Sequence, residues 1–167
     1  PSAESRKMNG INLKTNEIFE ADFDFAKPKT AFIFKTIVDP YIGRYSLIKV
    51  RSGVLKTDDL VYNSRTTEEA KIGKIYTMMG NKATEVPELH AGDLGALAKF
   101  GNAMTGDTLS TKANPVQYAP MDISTPYTYI RYRAKNKDEI DKVQQALTKI
   151  MAEDPTFKAL NDSENHQ

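Results

Sequence analysis

Two histidines, His90 and His166, and no cysteine leave this 167-residue chain few groups able to do covalent or metal chemistry. The missing cysteine excludes a thiolate nucleophile, a disulfide framework and a thiolate zinc site. Two histidines so far apart make no ligand cluster. No G-x-x-x-x-G-K-[ST] phosphate loop is present. Asn81-Lys82-Ala83-Thr84 has the outward form of a guanine-reading N-K-x-D, but Thr84 cannot supply the carboxylate that binds the guanine edge, and the tetrapeptide reads as a hairpin turn. Asp58-Asp59 and Glu68-Glu69 are paired carboxylates in turn contexts, where solvation is the simpler reading. His90 precedes a tight turn and has no evident partner to make it a general base. Met78-Met79 reads as strand core and rim rather than a ligand pair. No catalytic, cofactor-binding or metal-binding residue is expected in this chain.

What remains is a distribution of charge. Lys35, Arg44, Lys49, Arg51 and Lys56 cluster on two expected strands and their flanks. Strand alternation puts Tyr45, Leu47, Lys49 and Arg51 on one face and Ile48 and Val50 on the other. A basic strand face can dock on phosphates; the plain alternative is an ordinary solvated face. Bulk charge does not decide between them. The net charge is +1, and residues 30–112 carry eleven basic against nine acidic side chains, far from the strongly basic balance of an obvious nucleic-acid binder.

The elements that must carry these residues fall into three regions. With 40% hydrophobic and 27% charged residues the composition is that of a soluble globular protein, not of a disordered tail. No apolar run approaches a membrane span, and no secretory pattern opens the chain. Residues 1–29 read as a polar lead-in that packs on a neighbour. It holds a possible hairpin: Ile11 and Leu13, a turn at Lys14-Thr15-Asn16, then Ile18-Phe19. From Thr30 to Lys112 short β-rich runs alternate with Gly, Pro and Asp turns. Strands are expected at 31–38, 45–52, 54–55, 60–62, 71–79, 86–89, 94–100 and 108–109. The first is apolar on both faces, Phe32 and Phe34 against Ile33 and Ile37, so something must cover each side. Short strands at this spacing predict a closed all-β barrel.

Residues 113–126, with Pro115, Pro120 and Pro126, read as a stiff extended linker. A strand at 127–134 follows. A helix begins after Asn136, with Glu139 placed for a capping box and Ile140, Val143, Leu147, Ile150 and Met151 on one stripe. Asp154-Pro155 stops it, and a strand is expected at 156–160. The stripe alone does not offset the cost of ordering the helix, so this strand–helix–strand unit reads as half of a larger α+β domain. Its open edge and apolar face would invite self-association through the tail.

The run from Gly43 to Tyr62, GRYSLIKVRSGVLKTDDLVY, resembles the second domain of translational GTPases. Within that family, Thr36-Ile37-Val38-Asp39-Pro40-Tyr41-Ile42-Gly43, Ala91-Gly92-Asp93 and Thr105-Gly106-Asp107-Thr108-Leu109 are similar to the elongation-factor-G group. Glu153-Asp154-Pro155-Thr156-Phe157 is similar to the start of that group's third domain, and Asn9-Gly10-Ile11 to the exit from its GTPase domain. The resemblance covers essentially the whole chain. It extends to ribosomal protection proteins for tetracycline, whose distinguishing loops lie elsewhere; an RNA-binding barrel that stands alone is the reading from a different class.

The resemblance implies a mainly β chain: a Greek-key β-barrel followed by a partial ferredoxin-like α+β unit. It implies that the barrel docks on small-subunit ribosomal RNA and packs on its own GTPase domain, in a cytoplasmic factor that uses GTP hydrolysis to drive tRNA and mRNA translocation. Lys35, Arg44, Lys49, Arg51 and Lys56 become candidates for the RNA-facing surface. The start at Pro1 and the end at Gln167 read as cuts through a larger protein. GTP and Mg are then expected of the intact parent and not of this chain.

Overall fold

The computed structural model describes residues 8–39, 43–80, 82–132 and 136–160. The chain divides into two compact units, 1–121 and 122–167.

The first unit is all β. Its strands are β1 (Met8–Asn12), β2 (Ile18–Ala21), β3 (Thr30–Asp39), β4 (Gly43–Ser52), β5 (Val54–Lys56), β6 (Leu60–Asn63), β7 (Glu68–Lys71), β8 (Ile75–Met79), β9 (Lys82–Val86), β10 (Glu88–His90), β11 (Leu94–Ala98), β12 (Thr108–Ser110) and β13 (Val116–Tyr118). Eight of them form one antiparallel sheet in the order β7-β6-β12-β3-β4-β11-β8-β9, and β5 pairs separately with β10.

Chain length forces this sheet to curl. β7 ends at Lys71 and β8 starts at Ile75, yet the two strands stand six places apart in the sheet. Six strand spacings would put them about 29 Å apart if the sheet were flat. Four residue steps reach only about 14 Å. The sheet therefore rolls into a barrel, and backbone bonds across the seam record it: Asp58 N–H donates to the Ile72 carbonyl, Ile72 N–H to Asp59, and Thr57 N–H to Pro87. The single strand expected over 71–79 is in fact two, with Ile72-Gly73-Lys74 making this crossing. Pro87 likewise divides the run at 82–90 into β9 and β10.

Inside the barrel lie Ala31, Ile33, Ile48, Val50, Leu55, Val61, Ile72, Ile75, Leu89, Leu97, Phe100, Ala103 and Leu109. The other face of β3 is covered by the chain itself. A three-stranded sheet, β13-β1-β2, packs Ala21, Val116 and Tyr118 against Phe32, with Phe19 and Phe34 beside them. The two-sided strand thus finds both of its covers, and the lead-in hairpin is one of them. The other comes from the segment read as a linker: Val116 to Tyr118 is a strand paired with β1, within the four residues between Pro115 and Pro120, all of which keep a backbone N–H. Gly10 in β1 makes this pairing possible, since a Cβ there would lie 2.7 Å from Val116 Cγ1.

A buried chain of hydroxyls fixes the cover to the barrel. Ser52 Oγ donates to the Pro28 carbonyl at 2.7 Å, so its one proton is used and it accepts from Thr30 Oγ1 at 2.7 Å. Thr30 in turn accepts from the Tyr118 hydroxyl at 2.6 Å. Burial pushes the Tyr118 phenol up to about 12.

In the second unit the helix α1 runs Lys137–Glu153, as the apolar spacing predicts. The expected capping box is not closed. Asn136 makes no side-chain cap bond; its amide lies 3.5 Å from the Glu139 carboxylate, and the Glu139 N–H bonds the Asn136 carbonyl instead. The flanking strands are corrected too. Residues 127–132 form no strand, 133–135 lie outside the described residues, and 155–160 are a turn and irregular chain. An isolated strand has no ladder to bond to, and Tyr127, Tyr129 and Ile130 are exposed rather than packed. The described part of this unit is a helix with irregular flanks, not strand–helix–strand.

Candidate nucleic-acid interface

The five candidate cations do not share one face. Ile48 and Val50 of β4 point into the barrel, so Lys49 and Arg51 point outward. A β-bulge shifts the β3–β4 register between Ile33 and Lys35 and puts Lys35 directly opposite Leu47. Lys35 therefore joins Lys49 and Arg51 on the outer face. Arg44 falls on the inner face with Ser46 and Ile48, at the end of the barrel where β4 begins. Lys56 lies on the β5–β10 ribbon, where its ammonium pairs with Glu88 at 3.5 Å.

Partnership separates them further. Half of the described cations of the first unit are paired with carboxylates, among them Lys27 with Asp22 at 2.7 Å, Lys29 with Asp59 at 2.6 Å, Lys71 with Asp58 at 2.9 Å and Lys112 with Glu69 at 2.9 Å. Among the described residues Lys35, Arg44 and Arg51 have no carboxylate within ion-pair distance. Lys35 is exposed. Arg51 is half-buried, its Nε covered and without an acceptor, and burial lowers its pKa against the opposing pull of Tyr118. Lys49 stands 5.7 Å from the centre of the Phe23 ring, a cation–π distance. Phe23 comes from the lead-in segment, so the first region of the chain helps to hold a candidate cation in place.

The remaining sequence candidates resolve as structure. Asp58 and Asp59 are held by Lys71 and Lys29, and Asp59 also caps the turn by accepting from the Lys56 N–H at 2.8 Å. Glu68 and Glu69 lie on β7 rather than in a turn. His90 packs on Phe25 with ring centres 5.4 Å apart, and its Nε2 is 3.2 Å from Glu88. Tyr45 is buried edge-on against Tyr76, so it offers no ring to a nucleobase of the kind a stand-alone RNA-binding barrel would stack.

A cluster around Asp107 carried no signal beyond a Gly-Asp turn. The Asp107 side chain is only 3% exposed and receives Arg65 Nε at 2.6 Å. It also receives Arg65 Nη2 at 3.0 Å, Asn63 Nδ2 at 2.7 Å and the Met104 N–H at 2.9 Å. The bidentate fork ties the β6–β7 turn to the loop before β12.

Among the described residues no three His, Asp or Glu side chains are placed to share a metal. No helix among the described residues is long and apolar enough to cross a membrane.

Comparison with known proteins agrees with this barrel. The family model for elongation factor G domain 2 matches residues 28–112. An elongation factor G from Karelsulcia muelleri (strain GWSS) is 36% identical over 157 residues, which is 94% of this chain and 23% of that protein. The chain thus spans about a quarter of that curated relative's length. A crystal structure of a protein from Thermus thermophilus superposes with a TM-score of 0.70 at 25% identity, covering 83% of this chain and 21% of that one. With its mainly β architecture and the matched barrel, this chain belongs to the elongation factor G domain 2 family.

Proposed function

We propose that the barrel is a rigid docking module of a translational GTPase, seated on the phosphodiester backbone of small-subunit ribosomal RNA and coupling the nucleotide state of its own GTPase domain to that contact. In this reading the longer factor binds GTP with Mg in the cytoplasm and drives tRNA and mRNA translocation, and this chain contributes binding without chemistry. The observation that carries the docking role is the outer face of β3 and β4. Lys35 is exposed there, Lys49 and Arg51 are half-buried on the same face against Phe23 and Tyr118 of the cover, and neither Lys35 nor Arg51 is neutralised by a carboxylate among the described residues. Fixed positive charge of this kind favours phosphate by releasing counterions. Rigidity suits the coupling role: β3 is packed on both faces and clamped through Thr30, Ser52 and Tyr118.

The reading is tested by pelleting the chain with purified small ribosomal subunits over a salt series. The expected result is weak binding that falls with salt and is lost in the Lys35→Glu, Lys49→Glu double variant. Equal binding by the parent chain and the double variant removes this face from the interface.

A further inference from the structure

The second unit carries large side chains on bare chain. Tyr127, Tyr129 and Ile130 are 91%, 83% and 87% exposed, and Thr128, Arg131 and Tyr132 are exposed beside them. A contiguous exposed patch of this kind marks an interaction surface. Residues 127–132 form no strand, and none of their backbone groups bonds another described backbone group. Their composition is nevertheless that of a strand, aromatic and β-branched with no Gly or Pro in the run. Such a segment pairs when a second strand is offered. Four residues further on begins α1. There Ile140, Val143, Leu147 and Ile150 recur at the spacing of a helix–helix seam, and Ile140 and Ile150 at its ends are 43% and 42% exposed. Two heptads are too short to associate unaided. A ribbon beneath them would supply the missing support.

The run 127–132 is complementary to itself in one arrangement. Laid antiparallel on a second copy about Ile130, Tyr129 faces Arg131 of that copy, and Arg131 faces its Tyr129. Thr128 faces Tyr132 in the same way, and Ile130 meets its own equivalent on the two-fold axis. Each arginine then lies beside an aromatic ring. A parallel pair in register would set Arg131 against Arg131, like charges directly opposite. Alternation puts Thr128, Ile130 and Tyr132 of both copies on one side of the ribbon. With the helix stripes laid on that side, the tyrosines, isoleucines and stripes of two copies would bury on the order of 1,000–2,000 Å², the size of a specific interface. We propose that a second copy of this chain covers this surface. Residues 127–132 of two copies form an antiparallel ribbon about Ile130, the α1 stripes pack on its Ile130 side, and the result is a closed two-fold dimer. The pairing does not depend on the docking role of the first unit.

Sedimentation velocity of the chain over a concentration series tests this. The expected result is a monomer–dimer equilibrium with no larger species. Tyr129→Arg sets arginine opposite Arg131 at both symmetric positions and is expected to raise the dimer dissociation constant about tenfold. The double variant Tyr129→Arg, Arg131→Tyr restores both pairs with their members exchanged, and is expected to return the constant to that of the parent chain. Both positions are exposed, so the fold of the monomer is expected to persist in each variant, as unchanged circular dichroism would record. A chain that stays monomeric at every concentration, or that grows beyond dimers, overturns the proposal. A dimer that Tyr129→Arg leaves intact also overturns it, by placing the contact elsewhere. A double variant as weak as the single one overturns the antiparallel register about Ile130.

Discussion

At the scale of single residues, two buried polar groups govern the first unit. Asp107 is nearly sealed from water and shared among Arg65, Asn63 and Met104. Removing it strands a guanidinium, an amide and a backbone N–H together. Asp107→Ala should lower stability by about 3 kcal/mol, measured by denaturant unfolding; a loss below about 1 kcal/mol would show that water replaces the carboxylate. The exposed pair Lys74–Glu85 at 2.8 Å has the same charges and little consequence, because solvent competes with it. Tyr118 supplies a pH dependence. Its phenol is held up at about 12, above the ordinary value near 10, so the folded state keeps a proton that the unfolded chain releases. That stability is fully present below about pH 10 and is lost as pH rises towards 12, roughly 2–3 kcal/mol in all. The direction of the hydroxyl chain gives the same sign. An ionised Tyr118 cannot donate to Thr30, whose proton is committed to Ser52. Tyr118→Phe should flatten the decline between pH 10 and 12; an unchanged decline would place its origin elsewhere.

Elements show where sequence reasoning succeeds and where it stops. The two-sided apolar pattern of β3 announces two covers before either is seen, because alternation is a local property. The identity of one cover is not local. Val116-Gln117-Tyr118 is a three-residue strand within a stretch bounded by prolines and carries no period long enough to read, yet it pairs with β1 more than a hundred residues away. The side of the strand taken by each cation was legible for Lys49 and Arg51, which share the outer face by simple alternation. It was not legible for Lys35, because a bulge resets the register there. The strands expected around α1 failed for the opposite reason: their pattern is real, but without a sheet the backbone has nothing to pair with. A consequence follows for truncation. A chain ending at Lys112 loses β13 and uncovers Phe32, whereas one ending at Met121 keeps both. The shorter chain should be less stable by at least about 3 kcal/mol, the burial of Val116 and Tyr118. Equal denaturation midpoints would contradict the role given to β13. Gly53 belongs to the same assembly. Its φ of +70° and a Cβ position 2.7 Å from the Lys27 carbonyl leave no room for a side chain under the irregular chain at Lys27–Lys29.

At the scale of the whole molecule, a rigid barrel and a self-supplied cover carry Arg44 and Arg51 half-buried without a carboxylate partner among the described residues. Membership of the elongation factor G domain 2 family gives the outer face of β3 and β4 its context, and the charge geometry gives it residues. The most direct measurement is ribosome-stimulated GTP turnover by a full-length factor carrying this sequence with Lys35→Glu and Lys49→Glu. The expected result is about a tenfold fall in stimulated turnover, with turnover in the absence of ribosomes unchanged. Stimulated turnover equal to that of the unmodified factor would contradict the claim that this face docks on the ribosome.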